Sequence, residues 1–207
     1  MKKLFLVIFL LFCSTLVYST DRYSSINTNL PFYFETGEYY NQPQTAMLMG
    51  MGLNITDRIL FKDNFGVNLR ASFIFPMFLS AIIEYPENEI YEARYDFLSY
   101  IIGTGFGTTF NHNMFFLDTG VHFHYFSMKN IFSKYTNNTI GFYAAPAFIL
   151  PLDFVQNGLG FEIGIKTGFD LYSNSTIKLL IENKTMKYRG WYNLFYFNMF
   201  YGLSFKT

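Results

Sequence analysis

The sequence predicts an all-β protein: antiparallel strands, joined up-and-down and closed into a transmembrane barrel. Three observations carry this prediction. Apolar and polar residues alternate with period two along one segment after another, as they do on strands, where successive side chains point to opposite faces. The polar face of these segments is built mainly from Gly, Ser, Asn and Thr rather than Lys and Glu. The chain also opens with an apolar leader of the kind that directs export.

The leader, "MKKLFLVIFLLFCSTLVYST", has a basic start at Lys2 and Lys3 and an apolar run from Leu4 to Phe12. Val17 and Ser19 suit cleavage after Ser19, so residues 1–19 are expected to be a signal peptide and residues 20–207 a single barrel domain. The only cysteine, Cys13, lies inside the leader. A lipoprotein signal would need a small residue before it, where this chain has Phe12. After such cleavage the mature chain would have no disulfide and no cysteine metal site. It carries 13 basic and 15 acidic residues once Lys2 and Lys3 are removed. No basic field marks a nucleic-acid partner.

The composition is that of a chain in contact with oil. Charged residues make up 14%, where about 25% is usual for a soluble domain. Aromatics make up 22%, with 27 Phe and 17 Tyr. Beyond the leader, no run of about 20 apolar residues reads as a spanning helix. The nearest, Ile140 to Val155, is interrupted by Pro146 and Pro151 and carries Asp153.

The strands follow in chain order. "LPFYFET" is a short opening candidate. "TAMLMGMGLN" sets Met47, Met49, Met51 and Leu53 against Ala46, Leu48, Gly50 and Gly52. "FGVNLRASFIF" sets Phe65, Val67, Leu69, Ala71, Phe73 and Phe75 against a face that holds Arg70. "LSYIIGTGFGTTF" places Gly103, Gly105 and Gly107 opposite Ile102, Phe106 and Phe110. "FFLDTGVHFHY" gathers Asp118, His122 and His124 on one face. "LGFEIGIKTGFDL" puts Phe161, Ile163, Ile165 and Phe169 on one side and Glu162, Lys166 and Asp170 on the other. "NLFYFNMFYGLSFKT" ends the chain with Phe195, Phe197, Met199, Tyr201, Leu203 and Phe205 in line. Asn-, Gly-, Pro- and Ser-rich punctuation between the segments supplies the turns. Eight strands are expected, with ten as the alternative.

The apolar face is assigned to lipid and the glycine-and-charge face to the lumen. Glycine weakens an exposed strand, but inside a narrow barrel it leaves room for the few large side chains. A closed barrel also satisfies every backbone group without water. Arg70, Asp118, Glu162, Lys166, Asp170, Lys178 and Glu182 are then expected to form a lumen charge network, since buried charges need partners. A hairpin turning at Asn174 would pair Asp170 with Lys178 and Lys166 with Glu182. A four-residue turn from Asn111 to Met114 would set Gly103 beside His122.

His122 and His124, with Asp118 on the same face, are weak candidates for acid–base or metal chemistry. A hydrogen-bonded lumen lining is the preferred reading, so no catalytic residue, metal or cofactor is assigned. Some outer-membrane lipid A deacylases carry a His-x-Ser pair on a barrel strand. This chain has His122-x-His124, with Ser127 three residues further on, and departs from that pattern.

With its leader, its alternation and its aromatic last strand, the mature chain resembles the small bacterial outer-membrane β-barrel superfamily typified by the OmpA and OmpX transmembrane domains. Many such barrels end in an aromatic residue, whereas here Phe205 stands two residues from the end. The resemblance implies a location in the bacterial outer membrane, lipid as the surrounding partner, and an interior filled by side chains. A structural or surface-adhesive role follows as the first expectation. The stretches "EYPENEIYEARYD" (84–96) and "SMKNIFSKYTNN" (127–138) are the candidate contacts for host or envelope proteins. An envelope-lipid-modifying enzyme, a narrow channel and a soluble apolar-ligand carrier are the alternatives.

Overall fold

The computed structural model describes residues 21–39, 42–61, 64–83, 89–93, 98–129, 133–179, 184–190 and 193–207. The expected leader, with Cys13, and Glu182 lie outside these residues. Ten strands form one antiparallel sheet: β1 (Asp21–Tyr39), β2 (Gln42–Leu60), β3 (Phe65–Ile83), β4 (Glu89–Ala93), β5 (Tyr100–His112), β6 (Phe115–Lys129), β7 (Ser133–Pro151), β8 (Leu159–Leu179), β9 (Lys184–Gly190) and β10 (Asn193–Lys206). Eight of them form the barrel wall. β10 pairs with both β8 and β1, which closes the sheet. The short strands β4 and β9 lengthen the wall at one end, β4 along β3 and β9 along β8. They prolong β5 and β10 respectively, so neither adds a crossing.

Alternation decides which way each strand faces, and the apolar face is outside. Ile26, Leu53, Phe106, Phe148 and Ile163 all point outward with about half of their surface exposed or more. Glu162, Asp118, His122 and His124 are buried in the lumen together with Phe116, Ile101 and Tyr196. The apolar exterior continues through β1, β2, β3, β5, β7, β8 and β10 as a belt of Ile, Leu, Met and Phe. Water has no use for such a belt, whereas lipid tails do.

The two ends of the barrel differ. At the end where β1 begins and β10 finishes, the connections are short. Asn113 and Gly158 adopt positive φ in two of them and Asn64 in a third, a conformation that Asn and Gly accept readily. The start of β1 is tied to the end of the chain: the Arg22 amide donates to the Thr207 carbonyl and the Thr207 amide to the Arg22 carbonyl. Asp21 meets Lys206 at 3.1 Å, and Asp57 holds Arg22 at 2.8 Å. At the other end β1, β2, β3 and β7 run to 19 residues and β8 to 21. A tilted spanning strand needs only about 9–11 residues, so these strands are longer than a crossing requires. Of the two stretches expected as loops, the described residues include hairpin arms: 89–93 forms β4, and Ser127–Lys129 pairs with Lys134–Thr136 across β6 and β7.

Two details of register differ from the sequence expectation. The β5–β6 turn has two residues, Asn113 and Met114, because pairing continues to His112↔Phe115. Gly103 therefore lies opposite His124, and Gly105 opposite His122. A Cβ on Gly103 would come within 2.8 Å of the His124 ring, so this glycine makes room for it. In addition, no hairpin turns at Asn174. β8 runs unbroken from Leu159 to Leu179, and Asn174 pairs with Asn138 on β7 and Arg189 on β9.

Replacing Phe106, 64% exposed on the outer face, by Lys should cost about 2–4 kcal/mol of folding stability in phospholipid vesicles. Urea unfolding followed by circular dichroism measures it.

Candidate functional site

The lumen is filled in layers. Toward the end where β1 begins and β10 finishes, Arg58 on β2 and Arg70 on β3 converge on Asp118 of β6. Arg58 Nε donates to both carboxylate oxygens of Asp118, at 3.1 and 2.8 Å, and Arg70 Nη2 donates to Oδ2. Thr109 Oγ1 donates to Asp118 Oδ1 at 2.5 Å. Arg58 also reaches across the lumen, its Nη2 donating to Glu162 Oε1 at 2.6 Å. Asn27 Nδ2 holds the other Glu162 oxygen at 3.0 Å. Arg58, Asp118 and Glu162 have no exposed surface, and Arg70 has 4%. Phe116 lies under the Arg58 guanidinium at 5.0 Å, and Phe200 beside that of Arg70 at 5.3 Å. Strands on opposite sides of the barrel are thus joined through its axis.

The next layer holds the two histidines. His122 and His124 are two residues apart on β6, so both point inward, and their rings stack with centroids 4.4 Å apart. His122 Nε2 contacts Asp170 Oδ1, while Tyr196 Oη lies 3.1 Å from His122 Nδ1. Asp170 reaches His122 across β7 because Gly141 stands between them in the register. A Cβ there would sit 2.8 Å from Asp170 Oδ1 and 2.0 Å from the Phe169 carbonyl oxygen. Lys166 places its ammonium 5.0 Å from the Tyr143 ring and 5.3 Å from the Tyr196 ring. Tyr33, Phe126 and Tyr196 pack edge-on or tilted over the histidines and close the layer toward the long hairpins.

Of the residues read from the sequence as a charge network, the fold brings Arg70, Asp118 and Glu162 into one cluster, and sets Lys166 and Asp170 one layer further along. Lys178 is not among them. It is exposed on the upper part of β8, beside Lys134 and Thr185. The cause is a β-bulge. The β7–β8 register shifts between Ile140 and Gly141, so Leu171 and Tyr172 both point outward and Ser173 turns in. A bulge of one residue reverses the inward parity of everything beyond it, and Lys178 leaves the lumen. The expected pairing of Asp170 with Lys178 fails because both lie on the one strand β8, with no hairpin between them.

The residue that sequence reasoning missed is Arg58. The inward set of β2 runs on through Asn54, Thr56 and Arg58, so continued alternation would have found it. Asp57 hides the signal by placing a charge on the otherwise apolar face. Its position at the rim, paired with Arg22 and accepting from Ser24 Oγ at 2.8 Å, accounts for that charge. With Arg58 included, the buried charges among the described residues balance: Arg58, Arg70 and Lys166 against Asp118, Glu162 and Asp170.

Removing one member of a buried ion pair leaves the other unpaired, at about 3–5 kcal/mol. Arg58→Ala should lose that much stability in detergent-denaturant titration. Because Arg58 serves both Asp118 and Glu162, combining it with Glu162→Ala should cost less than the two single losses added together.

No family model matches the chain, and no curated protein matches it. Solved structures do. Neisserial surface protein A is similar over 89% of this chain and 96% of its own, with a TM-score of 0.53 and 9% identity. The outer membrane protein OprG from Pseudomonas aeruginosa is similar over 92% of this chain and 97% of its own, with a TM-score of 0.57 and 12% identity. At such identities the likeness is one of architecture. The chain has the fold of the small eight-stranded bacterial outer-membrane β-barrels.

Proposed function

We propose that this chain is an outer-membrane anchor with a sealed lumen, and that its working surface is the crown of long hairpins opposite the end where β1 begins and β10 finishes. The observation that carries the reading is the ionic layer of Arg58, Arg70, Asp118 and Glu162, which fills the axis and leaves the side chains without solvent contact. A barrel closed in this way works at its rim. In outer-membrane barrels the short turns face the periplasm and the long connections face outward. The β1–β2, β3–β4, β6–β7 and β8–β9 hairpins would then meet the surroundings. This supports a structural or surface-interaction role, adhesin-like in kind, with host or envelope proteins as partners.

The alternatives find less support. A lipid-modifying enzyme needs its histidines within reach of lipid, and His122 and His124 face the lumen with 1% exposure. A narrow channel needs a continuous path, which the ionic layer interrupts. A soluble carrier of apolar ligands needs an apolar interior and a polar exterior, the reverse of the arrangement here.

Cell fractionation with heat-modifiable gel mobility tests the location. Planar-bilayer recording tests the seal. The folded protein should partition with the outer membrane and add no steady conductance to a bilayer. Recovery in the soluble fraction would overturn the location, and a reproducible open level in wild type would overturn the seal.

A further inference from the structure

Asp118 and Glu162 are saturated by arginines and polar neighbours, but the histidine layer is not. His124 Nδ1 and Asp170 Oδ2 have no hydrogen-bond partner, although their residues are only 1% and 3% exposed. Unpartnered polar atoms at such depth are costly. They belong to one cluster: a ligand atom from each of His122, His124 and Asp170 lies within 4.8 Å of the other two. Lys166 balances the charge of Asp170 through space but gives its carboxylate no direct ion pair, its ammonium resting against two tyrosine rings.

We propose that His122, His124 and Asp170 form a transition-metal site in the barrel lumen. Two imidazoles and one carboxylate suit zinc, cobalt, nickel or copper rather than magnesium or calcium, which prefer all-oxygen shells. The ion would stand between His122 Nε2 and Asp170 Oδ1, where the hydrogen bond now lies, and the single proton of the neutral His122 ring would shift to Nδ1. With that proton on Nδ1, His122 would donate to Tyr196 Oη, 3.1 Å away, which fixes the ring as an outer partner of the ligand. Three local features build the site. The i, i+2 spacing on β6 aims both rings inward, Gly103 makes space for His124, and Gly141 opens the gap across which Asp170 reaches His122.

The third histidine of the chain, His112, lies exposed at the end of β5 and provides a control. Tag-free protein, folded in detergent with Co2+ and freed of excess ion, should retain one Co2+ per chain. It should show visible d–d absorption that Zn2+ displaces. His124→Gln and Asp170→Asn should weaken retention by about tenfold or more, while His112→Ala leaves it unchanged. Heat-modifiable mobility identifies the folded variants. If His124→Gln does not fold, Asp170→Asn and Tyr196→Phe decide, the latter losing affinity without losing the site. Folded wild type that retains neither Co2+ nor Zn2+ would overturn the proposal, as would retention equal to wild type in the folded ligand variants.

Discussion

Within hydrocarbon no water is available to satisfy a peptide group, and this constraint shapes the molecule. A sheet placed there must leave no open edge. β10 meets that demand by pairing with β8 on one side and β1 on the other. Once the wall is closed, each strand has an outer face against lipid and an inner face against the other strands. The inversion of oily and polar faces follows from closure.

Closure also explains the chemistry of the lumen. An eight-stranded wall encloses little more than side-chain volume, so charges placed there must neutralise one another. Two arginines share Asp118, and one of them extends to Glu162. Their guanidinium groups suit such bridging, because they offer several donors in one plane. Glycines at Gly103 and Gly141 vacate the space that His124 and Asp170 occupy. Small residues on the inner face are thus the complement of the few large ones.

The fold was legible because period two is a strong signal when it recurs, and because a glycine-lined polar face makes little sense in water. The inward placement of Arg70, Asp118, Glu162, Lys166 and Asp170 could be read from the same alternation. What escaped was local. The bulge at Leu171 has no signature in residue type, yet it reverses parity and expels Lys178 from the network. The "SNS" stretch around Asn174 carries turn chemistry but lies mid-strand, since neighbours on both sides supply its backbone bonds. Arg58 was masked by Asp57, a rim charge on the lipid-facing parity. In each case a tertiary neighbour decided what a one-dimensional pattern could not.

The seam has a kinetic consequence. It joins the first strand to the last, so Tyr23 aligns with Lys206 and Thr36 with Asn193. Nearly the whole polypeptide must be laid down before that final zipper can form. Contacts so distant along the chain slow assembly. Until they form, the growing sheet carries two bare borders, each able to join a neighbouring copy as readily as its own opposite margin. A chaperone that shields one of those borders would do more for yield than any gain in the finished cylinder's stability.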